Sequence, residues 1–265
     1  MRDRGLAGRS PHWVLTLYAV GVYAFLYAPI LTLVLFSFNN SDVTGLPFKG
    51  FTLQWYWRAL QSQTIRAAFA NSVMLGIATA LIASTLALLL GASFRSNFRG
   101  KQLVFNLILL PIIVPGIITG VMLLVLFGAA GILPSLWMTV LPAHVTWALP
   151  FAFLTIYPRL YRMDRSLEEA AMDLGAGPWT TFREVVFPQI RPGVVAACLF
   201  SFTLSFDEFV RTVFLLGMDR TLPVQFWYMI VEQLSPDLAA MAVIILVVSI
   251  TVSLTGYVVV SRAPQ

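Results

Sequence analysis

The sequence predicts an all-α membrane protein, a bundle of six transmembrane helices with a short helix on one loop, and three observations carry that reading. Only 11% of its 265 residues are charged and 58% are hydrophobic, whereas a water-facing domain carries about 25% charged residues. The apolar residues fall into six runs, each near the roughly 20 residues a helix needs to cross the hydrocarbon core. The net charge is +5, but the basic residues sit in the joints between runs, which is the pattern of membrane orientation and not of nucleic-acid binding.

The first run extends from Trp13 to Phe38, after Arg2, Arg4 and Arg9. It is too long for a signal-peptide apolar region and lacks a small-residue cleavage site, so it is expected to stay as a span. The others extend from Phe69 to Phe94, Leu103 to Phe127, Pro134 to Tyr157, Val194 to Leu216 and Ala239 to Val260. All are expected to be helices, because a single chain in lipid must satisfy its own backbone hydrogen bonds. Pro29, Pro111, Pro115, Pro142 and Pro150 are expected as kinks. No internal repeat or low-complexity segment divides the chain. It reads as one transmembrane domain, 1–265, with span one at 13–38, the later spans within 69–260 and a polar loop at 158–192.

Positive charge alternates along the joints. Arg95, Arg99 and Lys101 follow span two, and Arg159, Arg162, Arg165, Arg183 and Arg191 follow span four. Arg262 closes the chain, while Lys49, Arg58, Arg66 and Arg220 fall on the other side. The rule that basic loops stay inside places both termini in the cytoplasm. The loop 39–68 is then external, and its Phe51–Arg58 stretch reads as an aromatic interfacial helix.

The loop 158–192 carries the most punctuation. Ser166 and Glu169 have capping-box spacing. Leu167, Ala170, Ala171 and Leu174 make a small apolar stripe. Gly175 and Gly177 are expected to supply a left-handed stop, with Pro178 preventing continuation. A two-turn helix results, with Glu168, Glu169 and Asp173 exposed, and Pro188 and Pro192 set the chain's approach to span five. On pattern alone this is either a solvated connector or a docking element.

This loop resembles the EAA signature of bacterial ABC importer permeases. Glu169-Ala170-Ala171 is followed after three residues by Gly175, and after nine more by Val185-Val186-Phe187-Pro188. Val185 and Phe187 stand where the family has isoleucine and leucine. Tyr27-Ala-Pro-Ile-Leu31, Phe36–Ser41, Pro111-Ile-Ile-Val-Pro115, Leu204–Phe209, and Leu222-Pro223 with Ser235-Pro236 are similar to the spermidine/putrescine-type permeases. The resemblance implies a bacterial inner-membrane subunit whose short helix couples to a separate ATPase through Glu168, Glu169, Ala170, Ala171, Asp173, Gly175 and Pro188. It implies a second, similar permease wrapped by span one, two ATPase subunits carrying ATP and Mg, and an extracytoplasmic binding protein. The implied cargo is a polyamine or a related amine-bearing solute. An opine, an amino-acid derivative or an iron chelate is the alternative.

Span five holds charge that lipid does not tolerate. A charge at mid-bilayer costs about 2.5–3.5 kcal/mol on insertion scales. Ser201, Ser205, Glu208 and Thr212 recur at helical steps, as do Thr203, Asp207 and Arg211, giving one broad polar face. Either this face lines a translocation path, with Asp207 and Glu208 guiding a cation, or the acids pair with Arg211 at i+4 and i+3. Arg211 also leaves open an anionic or zwitterionic solute. His144 and Thr146 in span four and Asn106 in span three are weaker candidates. His144 is expected as hydrogen-bonded core, and Trp137 and Trp147 as anchors or packing. The segment Asp219–Pro236 reads as re-entrant or interfacial, a place for a binding protein to dock.

The absences agree. No G-x-x-x-x-G-K-[ST] phosphate loop occurs, so ATP is expected on another chain and no cofactor on this one. His12, His144 and Cys198 form no metal-ligand spacing and no nucleophile–base pair, so neither a metal nor a catalytic residue is assigned. A stand-alone secondary carrier would show repeat symmetry with broken helices.

Overall fold

The computed structural model describes residues 12–42, 45–232 and 237–261. Arg2, Arg4, Arg9, Arg262 and the Ser235-Pro236 pair lie outside the described residues. Among those described, every regular element is helical apart from one bridge between Asn39 and Phe51.

The helices, in chain order, are α1 (His12–Ser37), α2 (Gln54–Gln61), α3 (Gln63–Ser93), α4 (Lys101–Ile113), α5 (Gly116–Ala129) and α6 (Leu141–Arg162). They continue with α7 (Ser166–Asp173), α8 (Pro178–Thr181), α9 (Phe187–Phe206), α10 (Thr212–Leu215), α11 (Leu222–Glu232) and α12 (Asp237–Ser261). Short π-turns at Leu136–Val140 and Phe182–Val186 lead into α6 and α9.

The bundle is built on α3, α6 and α9, which pack against one another, with α12 on α9 and α1 on α12. The α3 helix has 31 residues, about 46 Å at 1.5 Å per residue. Its buried face is made of small residues, Ala68, Ser72, Gly76, Thr79, Ala83, Ala87 and Gly91, at steps of three and four. Such a stripe lets neighbouring helices approach closely, the way helices associate where lipid supplies no hydrophobic drive. A Cβ at Gly76 would fall 2.9 Å from the Phe202 ring of α9, and one at Gly91 2.9 Å from Leu160 of α6.

The bundle's two ends differ. At one, Phe94 is ringed by Phe98, Phe105, Phe153 and Tyr157, with Phe153 stacked on Tyr157 at 5.0 Å. This end also carries Arg95, Lys101, Arg159, Arg165 and α7. At the other, Leu75, Leu136, Val140, Ala143 and Leu215 form a second core, flanked by α11. The α2 helix is fastened by Trp55, whose Nε1 donates to the Asn39 carbonyl at 2.8 Å, and by Tyr56 against Ser37 at 2.6 Å.

Span three departs from expectation. Leu103–Phe127 is not one helix: α4 and α5 meet at a 107° bend. Val114 is extended there, as a residue before proline prefers, and Pro115 begins the new direction. With 13 residues, α4 is only about 20 Å long and short of the roughly 30 Å core. It starts at the basic end, and α6 returns to that end, so α4 and α5 together make one crossing. The count of six spans stands with this pair as one of them.

Span five also departs. Its helix begins at Pro178, well before Val194, and ends at Phe206. Residues 207–211 are not helical, and α10 resumes for a single turn. No continuous helix therefore joins Ser201 to Thr212, and the single polar face expected there does not exist.

The loop helix is present as α7, with different punctuation. Ser166 does not cap it. Asp164 Oδ1 instead accepts the Ser166 N–H at 2.9 Å, which holds the Asp164 carboxyl below the usual carboxylate range. Gly175 is left-handed at φ 89, but Gly177 is not, at φ −71. Pro178 opens α8 rather than stopping a helix, a position where its missing N–H costs nothing. Leu167 and Leu174 are exposed, so the apolar stripe faces outward. Pro188 and Pro192 sit inside a continuous helix, Pro178–Phe206, that includes a π-turn at 182–186.

Candidate permeation site

The five residues 207–211, between α9 and α10, hold the densest polar chemistry in the bundle. They separate into two sides.

The inner side is closed. Glu208 Oε1 accepts the backbone N–H of Arg211, and Oε2 pairs with its Nη1, both at 2.9 Å. The guanidinium lies over the Trp147 ring of α6, 3.9 Å from its centroid. The backbone of Gly116, just beyond the α4–α5 bend, covers it: a Cβ at Gly116 would fall 3.2 Å from Nη1. The two charged residues are buried, at 9% and 5% exposure.

His144 joins three elements beside this pair. Its Nε2 lies 2.8 Å from Thr212 Oγ1, and its Nδ1 lies 2.7 Å from Ser205 Oγ. Thr212 has one hydroxyl hydrogen and gives it to the Glu208 carbonyl at 2.7 Å, so it accepts from Nε2–H. Nδ1 is then the acceptor for Ser205, whose oxygen also lies 3.2 Å from Thr79 of α3. His144 is hydrogen-bonded core, as expected, and every polar atom named here is satisfied from within the chain.

The outer side is open. Asp207 is exposed, and among the described residues its two oxygens accept from Ser249 Oγ of α12, at 3.1 and 3.2 Å. It borders a cavity of about 380 Å³ walled by Phe209, Pro223, Phe226 and Trp227, with Ile230, Ala242 and Ile245. Phe209 and Trp227 lie 5.5 Å apart by ring centroid. Asp207 makes no pair with Arg211, contrary to the i+4 expectation, because no helix connects them. Ser201 is fully buried and its Oγ has no partner, so it belongs to neither side. Thr146 and Asn106 bond within their own helices.

On the loop, Glu169, Ala170, Asp173 and Gly175 are exposed on and after α7, Ala171 is half-buried, and Pro188 is exposed on α9. Glu168 is not free as expected. It is half-buried and forms an ion pair with Arg95 at the end of α3.

The family model described as "Binding-protein-dependent transport system inner membrane component" matches residues 83–263. This chain belongs to that family. It is the membrane-spanning subunit of an ABC importer, a transport component and not an enzyme. The permease is 39% identical to the spermidine/putrescine transport system permease protein PotC of Haemophilus influenzae, over 86% of this chain and 89% of that one. It is 34% identical to the putrescine transport system permease protein PotI of Escherichia coli, over 90% of this chain and 86% of that one. Among solved structures, a chain of a bacterial ABC transporter that imports the acidic polysaccharide alginate matches with TM-score 0.72 at 15% identity, covering 96% of each. A chain of the MetNI methionine ABC transporter matches at 0.60 and 14% identity, covering 81% of this chain and all of that one. These two likenesses concern the fold.

The sequence left several of the permease's site residues unnoticed. Trp147, expected as an anchor or packing, lies under the Arg211 guanidinium. Thr79, Ser249, Gly116 and the aromatic wall of Phe209, Phe226 and Trp227 come from five different elements or joints, and no spacing links them. One local signal existed, the Pro115-Gly116 pair, which combines a helix breaker with a residue that permits close approach.

Proposed function

We propose that this chain forms part of the translocation path of a polyamine importer, and that Asp207 is its amine-binding carboxylate. The observation that carries this reading is the division of charge at the break. Glu208 and Arg211 cancel each other in a buried pair, which leaves Asp207 as the open charge, beside a cavity walled by aromatic rings. A carboxylate with aromatic faces suits an alkylammonium, through charge and cation–π attraction. The relatives named for spermidine and putrescine support the same class of cargo. An acidic solute would need a free cation there, and Arg211 is enclosed.

In this reading the basic end of the bundle is cytoplasmic, with both termini inside. The exposed residues Glu169, Ala170, Asp173 and Gly175, with Ala171 and Glu168 behind them and Pro188 on α9, present α7 to one of two ATPase subunits that hold ATP and Mg. A second, similar permease covers α1, whose apolar surface is bare in the single chain. An extracytoplasmic binding protein docks at the end carrying α2 and α11. Closure of the ATPases draws the α7 helices together and opens the spans outward.

The test is ATP hydrolysis by the complex in liposomes with its binding protein, across polyamines, opines, amino acids and anions. Stimulation by putrescine or spermidine is expected. Stimulation by an acidic solute alone removes Asp207 from the path.

A further inference from the structure

The α7 helix buries none of its own residues, so apolar packing does little to hold it on the bundle. It packs on α8 and the turn at 182–186, and polar bonds tie it to the residues just after α3. Arg95, directly after the α3 cap at Phe94, pairs with Glu168 in the first turn of α7, and the two side chains are 12% and 22% exposed. The Arg165 guanidinium, at the N-cap of α7, donates to the Arg95 carbonyl.

The outer part of α3, about three turns in from its start, is tied to the outer segment. Ser72 Oγ accepts the Leu222 N–H at 2.8 Å, the first amide of α11, and Asn71 Nδ2 donates to the Arg220 carbonyl at 3.0 Å. Between these attachments, from Ser72 to Ser93, α3 runs without proline or break. The alternative route from α7 passes through α8, a π-turn, Pro188 and Pro192, and stops at Phe206. A helix bends where its backbone ladder is interrupted. The uninterrupted one transmits displacement along its axis.

We infer that Arg95 is a positioning residue that fastens α7 to α3, so that movement of α7 reaches α11 at the outer end through α3 as one rigid body. This rests on the reading of α7 as the ATPase-docking helix. The α3 helix also touches the site itself, through Thr79 against Ser205 and Gly76 against Phe202. The same displacement therefore passes the break at 207–211 on its way outward.

The experiment compares uptake per ATP hydrolysed in liposomes for the wild-type complex, R95E, E168R and the double variant R95E/E168R. A role confined to folding lowers uptake and hydrolysis together, whereas a lost fastening lowers their ratio. Each single reversal is expected to lower the ratio roughly fivefold or more, the scale of a 1 kcal/mol coupling. The double reversal restores attraction and should recover most of it. Single variants with the wild-type ratio, or a double variant no better than the singles, overturn the inference. If a reversal fails to assemble, Arg95→Met at one attachment and Ser72→Ala at the other replace it. Both must lower the ratio, and an unchanged ratio in either overturns the inference. Failure of the docking reading has its own signature. Gly175→Trp should abolish co-purification of the ATPase, while the Arg95 variants keep it. Retained co-purification in Gly175→Trp removes the docking helix and this inference with it.

Discussion

Asp207 and Glu208 are neighbours in sequence with opposite surroundings. Glu208 turns inward, where it accepts a backbone N–H and the Arg211 guanidinium, and it is 9% exposed. Asp207 turns outward, where one hydroxyl and a set of aromatic walls meet it. The inner side is complete within the chain, and the outer side is complete only with something added. In a membrane protein, where an intramembrane charge is a functional candidate by default, the two acids separate, on the proposed reading, by whether internal partners satisfy them.

Four substitutions break or sharpen that contrast. The largest effect belongs to Glu208→Ala, which strands Arg211 in the interior. Breaking a buried pair by removing one partner costs about 3–5 kcal/mol. Loss of monodisperse protein in detergent, or a large drop in unfolding temperature, is expected. A variant as stable as wild type would show that Arg211 finds water. Next comes Asp207→Asn, with the reverse profile: stability within about 0.5 kcal/mol of wild type and amine uptake down by tenfold or more, about 1.4 kcal/mol. Undiminished uptake would detach the open side from the path. Arg211→Lys keeps the charge but loses the planar stack on Trp147 and should cost roughly 1 kcal/mol of stability, read by thermal unfolding. Equal stability would show that Trp147 contributes only packing. The smallest effect is Ser249→Ala, which removes the hydrogen-bond donor that Asp207 has among the described residues. A two- to threefold change in half-saturating amine concentration is expected, about 0.5 kcal/mol. A tenfold loss would mean that Ser249 is itself a contact of the solute.

The class of fold was legible because lipid leaves so few choices: six apolar runs have to be helices. The loop helix was legible from Gly175 and the spacing around it. The bend in span three was half legible, since Pro111 and Pro115 announced a kink but not its 107°. The break in span five was not legible. Residues 201–214 contain neither glycine nor proline, and their periodicity suits a helix. The helix stops because the Glu208 side chain takes the Arg211 N–H for itself, a local competition with the backbone ladder, and because Trp147, His144 and Gly116 hold the result in place. Three of those partners lie far away in the chain, where a local reading has no access to them. The same cause hid the partner of Glu168, Arg95, which lies across a whole helical hairpin.

At Gly116 a Cβ would press on the Arg211 guanidinium and on Val210 at 3.2–3.3 Å, so a side chain there has to displace them by a few tenths of an ångström. Heredity therefore treats the two positions as one. A side chain at residue 116 crowds residue 211, and shortening residue 211 leaves Glu208 without its partner. A change at any of the three is tolerated only in company with the others, so among descendants of this chain these sites should vary together or stay fixed, while Asp207 beside them remains free to follow the solute.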